Sequence, residues 1–159
     1  MAVRVLWLRL RVPPLAVAAA MALAIWASDR LFPELSIPVH DAARLLAAPG
    51  IALCGVMVSL SAVLEFRKAG TTVNPLAPES VSSFVIGGVY RWSRNPMYLG
   101  FLLILAGQAV FLGNVLGAMS PVLFVLYMNR FQIAPEEEVL AARYGAAYLA
   151  YRETVPRWI

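Results

Sequence analysis

Histidine and cysteine are almost absent from this chain, with one of each. Cys54 lies inside an apolar run, so no disulfide framework can form within the chain. It reads as a small buried hydrophobe, because a reactive thiol wants a basic neighbour and none is close in sequence. His40 sits in a short loop between Pro33 and Asp41. With no second histidine and no cysteine pair, a zinc site has too few ligands, and no metal is expected. Charge is also scarce. Asp, Glu, Lys and Arg make up 14% of the residues and apolar side chains 61%, against roughly 25% and 45–50% in an ordinary soluble domain. So little polar surface cannot wrap a water-soluble globule. The net charge of +4 is not gathered into a patch. Basic residues stand singly or in pairs beside apolar runs, which suits membrane flanks and argues against nucleic acid as a partner.

What is present is a series of apolar runs. Val12 to Leu31 follows a basic start at Arg4, Arg9 and Arg11. A cleaved leader has a similar look, but the run approaches the roughly 20 residues of a span, which favours a retained helix. Ala42 to Phe66 forms the second run, with Pro49-Gly50 near one end. The polar stretch from Gly70 to Gly88 reads as an ordered loop. Pro96 to about Gly113-Asn114 and Val115 to Phe131 form a third and a fourth run, joined by turn chemistry as a tight helical hairpin. Pro135 to Tyr151 is more polar and sets Leu140, Tyr144, Tyr148 and Tyr151 on one helical face. That segment is expected to lie at the membrane surface. The chain therefore reads as an all-α, polytopic membrane protein with about four transmembrane helices and a cytosolic C-terminal amphipathic helix. Four spans put both termini on one side. If that side is the cytosol, Arg30 and Arg44 are the only two of the 13 Lys and Arg outside, a strong bias for this orientation.

Two clusters carry possible chemistry. The first runs from Gly87 to Gly100 and holds Tyr90, Arg91, Trp92, Arg94, Asn95, Pro96 and Tyr98. Asn95-Pro96 is a good helix start, a capping amide followed by a proline where no N–H is needed. Helix-start N–H groups with Arg91 and Arg94 alongside suit an anion. The plainer reading is a belt of aromatics and arginines anchoring a helix at the interface. The second cluster is Asn129-Arg130 followed by Glu136, Glu137 and Glu138. Three carboxylates at a helix start can simply complement the helix dipole. The hairpin, however, returns the end of the fourth run to the start of the third, so these glutamates and Arg94 can share one cytosolic pocket.

Together the clusters resemble the membrane methyltransferases that include isoprenylcysteine carboxyl methyltransferases and phospholipid N-methyltransferases. The family string is close to G-x-Y-x-x-x-R-H-P-x-Y-x-G, and Gly88, Tyr90, Arg94, Asn95, Pro96, Tyr98 and Gly100 stand in that register. A second string is matched by Glu136, Glu137, Leu140, Tyr144, Gly145, Tyr148, Tyr151, Val155, Pro156 and Arg157. Thr71 to Pro75 also resembles a loop of bacterial members. Asn95 replaces the family's usual histidine and Tyr144 its phenylalanine. The first change removes an acid–base side chain and keeps the helix-start geometry.

The resemblance implies a bacterial inner-membrane enzyme with a cytosolic active site. It divides the chain into an N-terminal helix pair, residues 1–69, and a methyltransferase core, residues 70–159. It implies S-adenosylmethionine as cofactor and a lipophilic or lipid-modified acceptor. Tyr90, Arg91, Asn95, Pro96, Tyr98, Glu136, Glu137 and Tyr148 are the expected cofactor contacts, and Arg94, Glu137 and Arg152 the expected catalytic groups. A sulfonium suits aromatic faces, and a carboxylate suits an arginine fork. An ionised carboxylate acceptor needs no base, whereas an amine acceptor must lose a proton and makes a glutamate base attractive. The residues hold parts for both, so isoprenylcysteine-like O-methylation and phospholipid N-methylation both stand. A NADPH-dependent membrane reductase of sterol type shares a similar R-x-x-x-Y-x-G start. A non-enzymatic accessory role is a further alternative. Transport is disfavoured, because only Gln108 and a few serines lie deep in the runs.

Overall fold

The computed structural model describes residues 12–70 and 85–159, and every extended element among them is helical. Helix α1 spans Pro14–Leu31, with Pro14 at its first position where the missing N–H costs nothing. A 3-10 turn, Pro33–Leu35, follows. A widened π turn at Ala43–Ala47 leads into α2, Ala48–Lys68. It directly precedes Pro49, whose ring cannot donate the next helical hydrogen bond. Another 3-10 turn, Gly88–Arg91, carries the chain to α3, Pro96–Leu112. Gly113, at φ +64, ends α3, and Asn114 opens α4, Val115–Tyr127, by accepting from the Leu116 and Gly117 N–H groups. The expected hairpin is therefore present, and α4 continues through Pro121.

The tail departs from the expected single, separate helix. From α4 the chain runs through a π turn, Met128–Ile133, directly into α5, Ala134–Tyr144. It then breaks at Gly145 before α6, Ala146–Thr154. Gly145 has φ +51, a backbone conformation that side-chain-bearing residues rarely adopt. A Cβ there would meet nothing within 4 Å, so the break rests on conformation and not on crowding. The loop motif Thr71 to Pro75 and the arginines at positions 4, 9 and 11 lie outside the described residues.

Helices α2 and α3 form the most extensive pair. Ala48, Ala52, Gly55 and Ser59 of α2 face Gly100 and Gly107 of α3 along a seam of small residues. A Cβ on Gly107 would come 2.6 Å from the Ala48 carbonyl oxygen, so the backbones pack at glycine distance, as helices do where lipid supplies no hydrophobic drive. Helix α1 is tied on by polar side chains. Gln108 Nε2 donates to the Ala22 carbonyl at 2.9 Å, and Asn114 Nδ2 donates to Phe32 O at 2.9 Å and Ser28 O at 3.3 Å. Arg44 Nε donates to Phe111 O, covering carbonyls at the far end of α3.

Among the described residues, two helices, Pro14–Leu31 and Ala43–Lys68, are long and apolar enough to cross a membrane. Their sides are largely open: Leu15, Leu23, Leu53, Met57, Leu60 and Leu64 are all exposed. A core helix of a soluble protein would have these side chains covered, whereas lipid accepts them. Helix α3, at 17 residues, and α4, at 13, fall short of the roughly 20 that a straight span needs.

Candidate active site

The end of the bundle opposite Arg44 gathers the 3-10 turn Gly88–Arg91, the start of α3, the π turn Met128–Ile133, the start of α5 and the non-helical C-terminal strand of chain after α6, residues 155–159. Glycine shapes the turn. Gly88 has φ +56, and a Cβ there would lie 2.6 Å from Glu65 Cδ. Tyr90 is buried, edge-on to Phe66 at 5.4 Å between ring centroids. Its carbonyl accepts from the Tyr151 hydroxyl at 2.6 Å, which ties α6 to the turn.

The two glutamates expected to share a pocket with Arg94 separate. Glu137 meets Arg94, with Oε1 3.1 Å from Nη1. It also meets Arg157 through a fork, Nε to Oε1 at 3.1 Å and Nη2 to Oε2 at 2.6 Å. Side-chain exposure is 11% for Arg94 and 13% for Glu137. Arg94 is nevertheless underused: its buried Nε and Nη1 make no hydrogen bond among the described residues. Glu136 turns toward the bundle. Its Oε1 accepts from the Tyr98 hydroxyl at 2.7 Å and from Gln132 Nε2. Burial pushes the Glu136 carboxyl from 4.5 up to about 7, the Glu137 charge adds to this, and the bonds from Tyr98 and Gln132 oppose it. Burial likewise pushes the Tyr148 phenol up, helped by Glu137 and opposed by the Arg94 guanidinium hydrogen-bonded to it.

The structure thus brings together Arg94, Glu137 and Tyr148, and beside them Glu136 and Tyr98. Pro96 is buried at the start of α3. Asn95 does not cap that helix, contrary to expectation. Its side chain instead donates from Nδ2 to the Arg157 carbonyl at 2.9 Å, so the amide is spent on the C-terminal strand. Arg91 and Arg152 are exposed and stand outside the ion-pair cluster, although Arg152 is near enough to Tyr148 to act on its charge. Tyr90 and Tyr98 are buried in packing and offer no open ring face, while Trp92 is 79% exposed.

Sequence reasoning passed over Arg157 and Gln132 as site residues. Arg157 had a signal, because it closes the second string. The segment it sits on, residues 155–159, is latched to Ser93, Arg94 and Asn95 just ahead of α3. Arg94 N donates to Pro156 O at 3.0 Å, and Ser93 Oγ to Arg157 O at 3.4 Å. Trp158 Nε1 donates to Asn129 Oδ1 at 3.1 Å. Gln132 had no signal, because only the π turn aims it at Glu136.

Residues 43–147 match the family model for phospholipid methyltransferase. An uncharacterised protein of Haemophilus influenzae is 43% identical over 63 residues, 40% of this chain and the whole of that relative. The protein-S-isoprenylcysteine O-methyltransferase of Saccharomyces cerevisiae is 30% identical over 131 residues, 79% of this chain and 54% of the yeast protein. The human enzyme of that name is 33% identical over 91 residues, 55% of this chain and 32% of the human protein. The chain therefore spans about half the length of the yeast relative. No solved structure matches.

Proposed function

Because this chain belongs to the phospholipid methyltransferase family, we propose that it moves a methyl group from S-adenosylmethionine to a carboxylate oxygen of a lipophilic acceptor. The relatives named as isoprenylcysteine O-methyltransferases support this reading, and family membership favours it over the reductase alternative. The observation that carries it is Arg94. Its buried Nε has no hydrogen-bond partner among the described residues and its Nη1 meets Glu137 only as an ion pair at 3.1 Å, so the guanidinium is suited to an anion. Glu137 satisfies it only in part, because Arg157 engages both Glu137 oxygens. The cluster of two arginines and one glutamate keeps one positive charge for a carboxylate.

The same residues fit the cofactor. S-adenosylmethionine supplies an electrophilic methyl group on a cationic sulfur and carries an ammonium. Glu136 suits that ammonium, and Trp92 offers an aromatic face to a cation. Arg94 orients the acceptor carboxylate, which is ionised at neutral pH and needs no base. Positioning then supplies much of the rate. We place this site on the cytosolic side of the bacterial inner membrane, beneath four helices. An apolar acceptor tail reaches it from the bilayer, past the exposed side chains of α4.

One observation favours N-methylation of a phospholipid amine as a second reading. A carboxyl held at about 7, as Glu136 is, is poised to accept a proton from an amine. Product chemistry separates the two. Membranes containing the protein are incubated with methyl-labelled S-adenosylmethionine and a lipid extract, then treated with alkali. A methyl ester releases volatile labelled methanol, and an N-methyl product does not. Release of methanol, lost in Arg94→Ala, is expected. Alkali-stable label would favour the amine reading, and no wild-type transfer to any lipid would refute both.

A further inference from the structure

Arg157 carries an inference that rests on the carboxylate reading and deepens it. Glu137 lies between two guanidiniums, Arg157 at 2.6 Å and the more buried Arg94 at 3.1 Å, and left to itself it would close on Arg94 and neutralise it. Arg157 limits that. Its fork takes Oε1 and Oε2 together, leaving Arg94 a single ion-pair contact through Nη1 and a buried Nε with no partner among the described residues. The position of Arg157 is itself fixed. The Arg94 backbone N–H holds Pro156 O, the Asn95 amide holds the Arg157 carbonyl, and Trp158 pins the strand to Asn129.

We propose that Arg157 is a specificity-determining positioning residue: it occupies Glu137 so that Arg94 stays charged and open to the carboxylate of the acceptor. The Asn95 amide, standing where relatives of the resembled family have histidine, serves as the latch that keeps Arg157 in place.

The charge count makes the proposal sharp. Arg94, Arg157 and Glu137 sum to +1. Without Arg157 the sum is zero, because Glu137 can close on Arg94. Removing the Glu137 charge as well restores +1. A damaging mutation would not be repaired by a second one in this way, so the double variant separates positioning from structural support.

The test uses the full chain in detergent and two probes, N-acetyl-S-farnesylcysteine and its carboxamide, with binding measured by calorimetry. The wild type is expected to prefer the acid. Arg157→Gln should lose about tenfold of that preference, the low end for a close charge pair, with amide binding unchanged. Arg157→Lys keeps the charge without the fork and should fall between. Arg157→Gln with Glu137→Gln should regain the preference. An unchanged acid-to-amide ratio in Arg157→Gln, equal loss of both probes, or a double variant no better than Arg157→Gln would each overturn the proposal. If Arg157→Gln does not fold, an unchanged ratio in Arg157→Lys overturns it. Wild-type protein that does not prefer the acid would overturn the carboxylate reading itself, and this inference with it.

Discussion

Glu136 and Glu137 are adjacent, yet a helix turns about 100° per residue, so their carboxylates face different partners. Glu137 faces the arginines, and Glu136 faces Tyr98 and Gln132. This difference has a measurable consequence at Glu136. Its folded pKa of about 7 lies above the ordinary 4.5. The folded state therefore holds a proton that the unfolded chain has released, so stability is full below about 4.5 and is lost as pH rises toward 7. For the wild type, stability in detergent should fall by at most about 2 kcal/mol between pH 5 and pH 7 from this group. Glu136→Gln should flatten that slope. The same slope in the variant would show that another group is responsible. Arg94, Glu136 and Glu137 were legible in the sequence because the motif strings name them. Gln132 was not, and neither was the use of Asn95 as a latch, because each depends on a backbone path that no local pattern specifies.

At the scale of the element, the α2–α3 seam governs whether the site end of the bundle assembles. A Cβ on Gly100 would collide with Ser59 Oγ and the Gly55 carbonyl. Gly100→Val should cost about 2–3 kcal/mol or more through overpacking, read as a lower thermal midpoint and aggregation in detergent. Gly50→Ala is the control, with nothing within 4 Å of the added Cβ, and should be neutral or slightly stabilising. Equal behaviour of the two variants would contradict the seam. The helix boundaries of α3 and α4 were legible because Asn95-Pro96 and Gly113-Asn114 are strong local punctuation. The junction from α4 to α5 was not. Its π turn lies between apolar and polar stretches with no glycine or proline to mark it before Pro135, and tertiary packing of Met128 and Ile133 into the core chooses the path.

For the whole molecule, the orientation is the property to test. With both termini in the cytosol, a C-terminal green fluorescent protein fusion should be fluorescent, and a C-terminal periplasmic alkaline phosphatase fusion inactive. The reverse pattern would invert the proposed topology and move the site to the other face. Among the described residues two helices are long enough to span. The shorter α3 begins at the site and α4 runs back to it, where the chain passes from the bundle into α5. In the proposed topology this short hairpin starts near the headgroup region, where the proposed water-borne cofactor and lipid-borne acceptor would meet.

Composition by itself determined residence in a membrane, because a chain this poor in charge has no other solvent for its surface. Local punctuation determined the hairpin, and motif spacing determined the family, since a string of seven matched positions is specific without any fold. Only the tertiary structure decided how the charges are spent. The pairing of Glu137 with Arg157 across 20 residues, and the buried Arg94 Nε left without a partner among the described residues, follow from residues 155–159 folding back onto the segment Ser93–Asn95 that precedes α3. Electrostatic pairing falls off over a few ångströms, so what a charge does depends on where the chain returns, and one-dimensional spacing does not carry that information.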